Sequence, residues 1–448
     1  MDEGTTTPAW LRPHGAGTAA ANGRATDLPG VVHRYRLGLD TGLSVSSVDG
    51  GWYCTPERTT GGGVGNEEWI AAQEGDGAAQ AFVDLLRYEA LPPVQGFRVV
   101  RLVPPPEATG ERAVDPQSGP HTTVVVGERV AVTWTRRAGD ALHPGPLTLE
   151  HLAAHGFMGV PDTYGLLLWR SPAGHEVPVA AAARYLPRSR DGRLWAAELL
   201  AGTLGDRDGM ASRDLPVADV PARLGRLTAR LHRALATPSA VVPVPSSRVD
   251  GDTVRAWHAA AAELVDAAAT AVRSSPTGER AGLTVASLPA LAAAVDVLER
   301  VADEADAGSE ADPGDPDGVP AAGVVVQRVH GDLHVGRVLL WPGGLAVVGF
   351  DTEAPETPSH PDLQVVVAAQ DGEELQPATR DLARLLASLG PLGPADAVVE
   401  VRAQVVASYL TELRELERED LFDARLLTAF EAEQACRRAV EEMVADLA

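Results

Sequence analysis

The chain has 448 residues, 45% hydrophobic and 22% charged, with a net charge of −24. That length suits two or three packed subdomains, and the acidic balance disfavours nucleic-acid and membrane-surface partners. All 38 basic residues are arginine, which excludes a Schiff-base lysine, a lysine general base and a Walker-type phosphate lysine. Cys54 and Cys436 are the only cysteines and lie far apart, so neither a disulfide framework nor a cysteine metal site is expected. The first 30 residues read as a loose arm anchored by Trp10-Leu11, with no apolar core of a signal peptide. No run reaches the ~20 apolar residues of a spanning helix, so a cytoplasmic location is expected.

From Val31 the text runs in short alternating pieces, VVHRYRLGL, GLSVSSV and GGWYC, which predict small antiparallel strands. The run Gly61-Gly62-Gly63-Val64-Gly65 reads as a flexible turn and not a phosphate loop, since no strand-to-helix context and no lysine follow it. Residues 78–89 have helical spacing. FRVVRLV and TTVVVGERVAVTWTRR are β-type, and Gly127-Glu128 between two apolar runs predicts a hairpin. LTLEHLAAHGF reads as a helix stopped at Gly156, and YGLLLWRSPAGHEVPVAAAARYL as a strand pair. Trp134, Trp169 and Trp195 are expected in core and hinge packing, and Cys436 as a buried small hydrophobe.

Beyond about residue 190 the pattern becomes helical. PARLGRLTARLHRALATP has Pro221 in its first turn and a proline stop. WHAAAAELVDAAATAVRSS and LPALAAAVDVLERVADEA are helical by period. Asp303 to Gly318 holds seven acids and no base, with Pro and Gly between them, and reads as a disordered acidic linker. Two short β runs, VVVQRVHGDLH and RVLLWPGGLAVVGFD, precede the closing helices. A β-rich first part and a helix-rich second part make an α+β, two-lobed plan.

The densest polar cluster is His330-Gly331-Asp332-Leu333-His334, followed by Arg337 and, after an apolar run, Gly349-Phe350-Asp351-Thr352-Glu353. Kinase-type phosphoryl transfer uses an Asp that accepts the hydroxyl proton, an amide a few residues on that holds metal, and a second Asp beyond a hairpin. Asp332 stands at the first place, Arg337 five residues later, and Asp351 one hairpin further. His330 is read as a brace for the loop, since the base in this template is the Asp. Two histidines alone make no metal site without a third ligand.

The segment QRVHGDLHVGRVLL resembles the catalytic segment of the bacterial maltokinase and glucosamine kinase family, relatives of the aminoglycoside phosphotransferases. LGRLTARLHRAL, YLPRSRDGRLW, and VAVTWTRR followed by HPGPLTLEHLAAHGF are similar to further family segments in the same order, and EAEQACRRAVEEM looks closer to the glucosamine kinase branch. The resemblance implies an α+β, two-lobed protein-kinase-like fold, with a cap subdomain at 1–95, a small lobe at 96–183 and a helical large lobe at 184–448. It implies ATP and Mg²⁺ as cofactors and a sugar as the acceptor. By position it implies Asp332 as base, Asp351 and Glu353 as metal ligands, Thr133 and Arg337 at the nucleotide, and Glu433 and Arg438 at the acceptor.

The departures concern phosphate handling. Thr133 stands where the family carries its phosphate lysine, Arg337 where it carries Gln or Asn, and Gly349 where it carries the first metal carboxylate. A shift of one register would instead make Asp351 the first carboxylate and Glu353 the second. A guanidinium cannot ligate Mg²⁺ but clamps phosphate well. Two functions compete on this basis: an ATP-dependent sugar phosphotransferase, or a catalytically impaired kinase fold that binds a sugar, a nucleotide or a partner.

Overall fold

The computed structural model describes residues 31–48, 51–60, 68–87, 94–114, 121–139, 144–204, 217–307, 323–350 and 375–447. They fall into two units, one built from 31–153 and 160–187, the other from 154–159, 188–349 and 375–447. The Gly61–Gly65 run and the metal candidates Asp351 and Glu353 lie outside the described residues.

In the first unit, β1 (Val31–Arg36), β2 (Thr41–Val48), β3 (Gly51–Thr59) and β4 (Trp69–Ala71) form an antiparallel meander. The helix α1 (Ala78–Leu85) follows, then β5 (Phe97–Arg101), β6 (Glu111–Ala113), β7 (His121–Val126), β8 (Val130–Thr135) and β9 (Arg137–Ala138). The helix α2 (Gly145–Ala154) leads to the paired β10 (Thr163–Arg170) and β11 (Glu176–Arg184), closing a six-stranded sheet of order β5-β10-β11-β8-β7-β6. The hairpin expected at Gly127-Glu128 is there, with both residues at positive φ, 57° and 54°, and Arg129 completing a three-residue connection between the paired Val126 and Val130. Thr133 sits on β8 opposite Ala181, half-buried, with its hydroxyl 3.4 Å from that of Thr123.

The expected boundary near residue 95 does not divide the core. Trp52 and Tyr53 of β3 pair with Ala138 and Arg137 of β9. Leu43, Val45, Phe82, Trp134 and Trp169 belong to one buried cluster that draws on both sides of that boundary. A meander of short strands is too thin to bury its own apolar face, so it shares one core with its neighbour.

The second unit begins with α3 (Gly192–Leu200), capped by Asp191, whose Oδ1 accepts the Arg193 amide at 2.8 Å. Next come α4 (Val220–Leu235), β12 (Ser246–Val249), the long α5 (Gly251–Ser274) and the two-residue strands β13 (Glu279–Arg280) and β14 (Leu283–Thr284). LPALAAAVDVLERVADEA is not one helix but two, α6 (Leu288–Val295) and α7 (Val297–Ala307), broken at Asp296. The acidic stretch is also helical at its start. Within α7, Asp303 and Asp306 pair with Arg255 at 3.2 and 2.6 Å, and Glu304 pairs with Arg425. Partnered acids on a helix flank are ordinary helical residues, so the linker reading fails for 303–307, while 308–318 lies outside the described residues.

Strand β15 (Val324–Gln327) pairs with β12, and β16 (Val338–Trp341) with β17 (Gly344–Val347). The unit closes with α8 (Ala378–Ala387), α9 (Ala395–Glu415) and α10 (Ala424–Leu447). Trp257, Leu298, Phe430, Cys436 and neighbours from α5, α7 and α10 make its core. No helix among the described residues is long and apolar enough to cross a membrane.

Candidate active site

The loop between β15 and β16 carries His330, Asp332, His334 and Arg337, and it is held in place residue by residue. Gln327 exchanges backbone hydrogen bonds with Gln376 at 2.9 and 2.8 Å, and the Arg328 amide reaches Pro245 O at 2.9 Å. Gly331 turns the chain at φ 84°, a conformation cheap only for glycine. Leu333 and Val335 are buried anchors, and the Val335 amide donates to Ser388 Oγ at 2.9 Å. Trp195 ties α3 to the same region through Nε1 donating to Val338 O at 2.8 Å.

The main support is a residue that the sequence did not single out. Asp381, buried on α8, accepts the His330 amide on Oδ2 at 2.7 Å and the Gly331 amide on Oδ1 at 3.0 Å. Behind it, His232 Nε2 lies 3.4 Å from Asp381 Oδ2, and His232 Nδ1 is 2.8 Å from the Tyr409 hydroxyl. Gln327 Nε2 fixes the helix carrying that ring by donating to His232 O at 3.0 Å. Burial alone would raise the Asp381 carboxyl, yet His232 and the His330 amide hold it below the ordinary carboxylate range. The sequence signal was an acid on the apolar stripe of a helix, ATRDLARLL, masked by Arg384 three residues on, which offers it an ordinary helical partner.

His330 acts as the expected brace. Its Nε2 donates to Val348 O at 3.0 Å, and its Nδ1 accepts the Asp332 amide at 3.3 Å. Burial keeps this ring neutral, with its pKa lowered. His334 caps the turn that follows, Nδ1 accepting from the Gly336 amide at 3.0 Å, and burial pushes it down to about 4 although Asp332 pulls the other way.

Asp332 itself is 29% exposed and ringed by cations. Arg337 grips Oδ2 through Nη2 at 2.8 Å and Nε at 3.2 Å, and Arg384 Nη1 stands 3.4 Å from Oδ1 while also donating to Gly331 O. Burial works to raise this carboxyl, but Arg384 first and Arg337 next hold it below its ordinary value. It is therefore an ionised acceptor over the whole neutral range, able to orient a hydroxyl and take its proton as the hydroxyl is phosphorylated.

Arg337 also explains Gly349. At φ 93°, a Cβ on Gly349 would lie 2.7 Å from Arg337 Cδ and 3.0 Å from its Nε. The arginine stem fills the place where a side chain at 349 would begin, so the two departures form one steric unit. This is a poor setting for Mg²⁺: a guanidinium takes the Asp332 oxygen, and no group of three ligating side chains exists among the described residues.

The acceptor candidates fall differently. Glu433 on α10 is buried, 3.4 Å from Arg380 Nη2 and 3.7 Å from Arg437 Nη2. With Gly331, Asp381 and Arg384 it borders a void of about 10 Å³, room for one water and not for a sugar. Arg438 donates Nη1 to Ala387 O at 2.8 Å. The loop thus joins Asp332 to Arg337, and Glu433 connects to that pair indirectly: Gln434 Nε2 donates to Glu433 Oε1 and Arg384, which stands at Asp332, donates to Gln434 Oε1, both at 3.4 Å. Thr133 belongs to the first unit.

No family model matches the chain. A glucosamine kinase of Mycolicibacterium smegmatis (strain ATCC 700084 / mc(2)155) is 29% identical over 376 residues, 83% of this chain and 85% of the relative. A glucosamine kinase of Streptacidiphilus jiangxiensis is 30% identical over 383 residues, 82% of this chain and 77% of the relative. Among solved structures, a glucosamine kinase in complex with glucosamine, ADP and inorganic phosphate matches with a TM-score of 0.65 at 26% identity, covering 98% of this chain and 95% of that one. With a His-Gly-Asp loop built on that fold and an extent of likeness that spans most of both chains, this chain belongs to the glucosamine kinase family.

Proposed function

We propose that the protein transfers the terminal phosphoryl group of ATP to a hydroxyl of glucosamine or a closely similar sugar. The observation that carries this reading is Asp332: an ionised carboxylate, still part-exposed, on a loop fixed by Asp381 and His330. In the reaction, Asp332 accepts the hydroxyl proton as the sugar oxygen bonds to phosphorus and ADP leaves. Arg337 is assigned to the transferred phosphate, where a permanently charged fork stabilises developing charge. Thr133 is assigned to the nucleotide side. The relative solved with glucosamine, ADP and inorganic phosphate supports both ligand classes.

Mg²⁺ would enter with the nucleotide, and Asp351 and Glu353 are its proposed ligands. The described residues around Asp332 do not fit an ion. Glu433, closed off behind Arg380 and Arg437, is assigned to positioning those arginines, and Arg438 to the same acceptor-side wall.

A second reading, a binding protein with little turnover, is favoured by the Arg337–Asp332 pair, which engages the carboxylate assigned as base. Coupled ADP release with Mg-ATP separates them, using glucosamine, glucose, maltose and an aminoglycoside as acceptors and Asp332→Asn as control. Glucosamine-dependent turnover that falls by about 10³-fold or more in Asp332→Asn supports the kinase. A flat response to every sugar rejects it in favour of binding.

A further inference from the structure

A cavity of about 650 Å³ opens in the second unit, lined by residues 155–159, α4, the β16–β17 turn and the C-terminal end of α9. It shares no lining residue with the small void behind Gly331 and Arg384. One helix sets its chemistry. Arg223, Arg226, Arg230 and Arg233 recur at steps of three and four along α4, so they share a face, and all four line the cavity. In a chain of net charge −24, this is a local concentration of permanent cations.

Among the described residues, one carboxylate lines the cavity with them. Glu412 is only 4% exposed, and its Oε1 accepts Arg230 Nε at 2.7 Å. Its Oε2 is buried with no hydrogen-bond partner among the described residues, a costly state for a polar atom. Arg226 and Arg233 make no ion pair or side-chain hydrogen bond among the described residues. The opposite wall is firm. Gly159 O accepts the Val347 amide at 2.8 Å, His155 Nε2 lies 2.9 Å from Thr237 O, and a Cβ on Gly159 would come 2.5 Å from Leu227 Cδ1. Phe157, Leu227 and Leu345 add apolar surface.

A ligand for this cavity must bring several anionic acceptors for the guanidiniums and one hydroxyl donor for Glu412 Oε2, on a small partly apolar frame. Inorganic phosphate carries its P–OH donor on the same centre as its acceptors, with no separate hydroxyl to place at Glu412, and an unphosphorylated sugar lacks the charge. We propose that the cavity is a binding site for a phosphorylated sugar or polyol, with the phosphate on Arg223, Arg226 and Arg233 and a hydroxyl donating to Glu412. The site is additional to the reaction assigned to Asp332 and does not depend on it.

The test uses the full chain carrying Asp332→Asn, so that turnover plays no part. Calorimetric titration compares glucose 6-phosphate, inorganic phosphate and glucose. Glucose 6-phosphate is expected to bind at least about 10-fold more tightly than inorganic phosphate, with glucose silent. Arg226→Ala/Arg233→Ala, which removes two guanidiniums without breaking a described contact, is expected to weaken it by about 10²-fold. On the chain with intact arginines, the same ligand should slow amide exchange in residues 155–159 and 343–345. Equal affinity for phosphate and sugar phosphate, affinity unchanged by the double substitution, or protection confined to 330–337 would each overturn the assignment.

Discussion

Replacing Asp381 by Ala tests whether its carboxylate holds the loop that carries His330 and Asp332. The substitution strips the His330 and Gly331 amides of an acceptor that now stands 2.7 and 3.0 Å away in a buried place. A hydrogen bond to a charged group contributes ~1.5–3 kcal/mol, so two such bonds make the loss roughly 3–6 kcal/mol. That is a large part of the ~5–15 kcal/mol that holds a typical domain together. Asp381→Asn keeps one carbonyl oxygen, which can serve one amide, and should lose about half as much. Urea unfolding with the m-value monitored measures both. Because the folded carboxyl titrates below its unfolded value of about 4, its contribution is complete above that pH and fades as pH falls through the lower, folded value. The gap between wild type and Asp381→Asn should therefore narrow in acid below about pH 4. A loss under about 1 kcal/mol for Asp381→Ala at pH 7, or a gap that widens in acid, would refute the account of the loop.

Further outcomes follow from neighbouring contacts. Gly349→Asp is expected to destabilise by about 2 kcal/mol or more, since it meets Arg337 and forces positive φ on a side chain; adding Arg337→Ala, which removes Cδ and the guanidinium, should recover the clash component, and a simple sum of the two effects in denaturant would refute the pairing. His334 titrates near 4 in the folded chain against an unfolded value of about 6.5, so it opposes stability increasingly as pH falls from 6.5 to 4, by up to roughly 3 kcal/mol. His334→Gln should flatten that limb of the stability–pH curve, and an unchanged slope would exclude it as the source. Trp195→Phe removes the bond to Val338 O and leaves that carbonyl buried, for an expected loss of about 1–3 kcal/mol by thermal unfolding.

What could be read in advance was whatever a residue declares through its own neighbours. Gly127-Glu128 announces its turn, Pro221 starts α4, and His-Gly-Asp marks the loop. The break at Asp296 stayed hidden because Leu288, Val295, Leu298, Val301 and Ala305 keep a helical apolar period across it, with no Gly or Pro after Pro289 in the first turn. Asp303, Glu304 and Asp306 looked like free acids because their arginines, 255 and 425, come from distant helices. Asp381 could not be assigned, since what it serves is two backbone amides 50 and 51 residues earlier. The core shared across residue 95 was equally silent, as strand pairing between β3 and β9 leaves no mark in local pattern.

A chain whose every side-chain cation is a guanidinium has no ion pair that alkali can discharge. Its limit in base must come from elsewhere, and buried thiol and phenol groups supply it: Cys436 and Tyr35, each pushed up to about 12 by burial, and Tyr409, raised by burial behind His232. All three ionise more readily in the unfolded chain, so stability should decline first above about pH 8.5 through the thiol and further above about pH 10 through tyrosinate, the latter visible as absorbance near 295 nm rising together with unfolding. The same composition leaves amine-directed reagents and acetylating enzymes no side chain to modify, so conjugation or surface immobilisation of this kinase must go through its α-amino group, its carboxylates or an engineered residue.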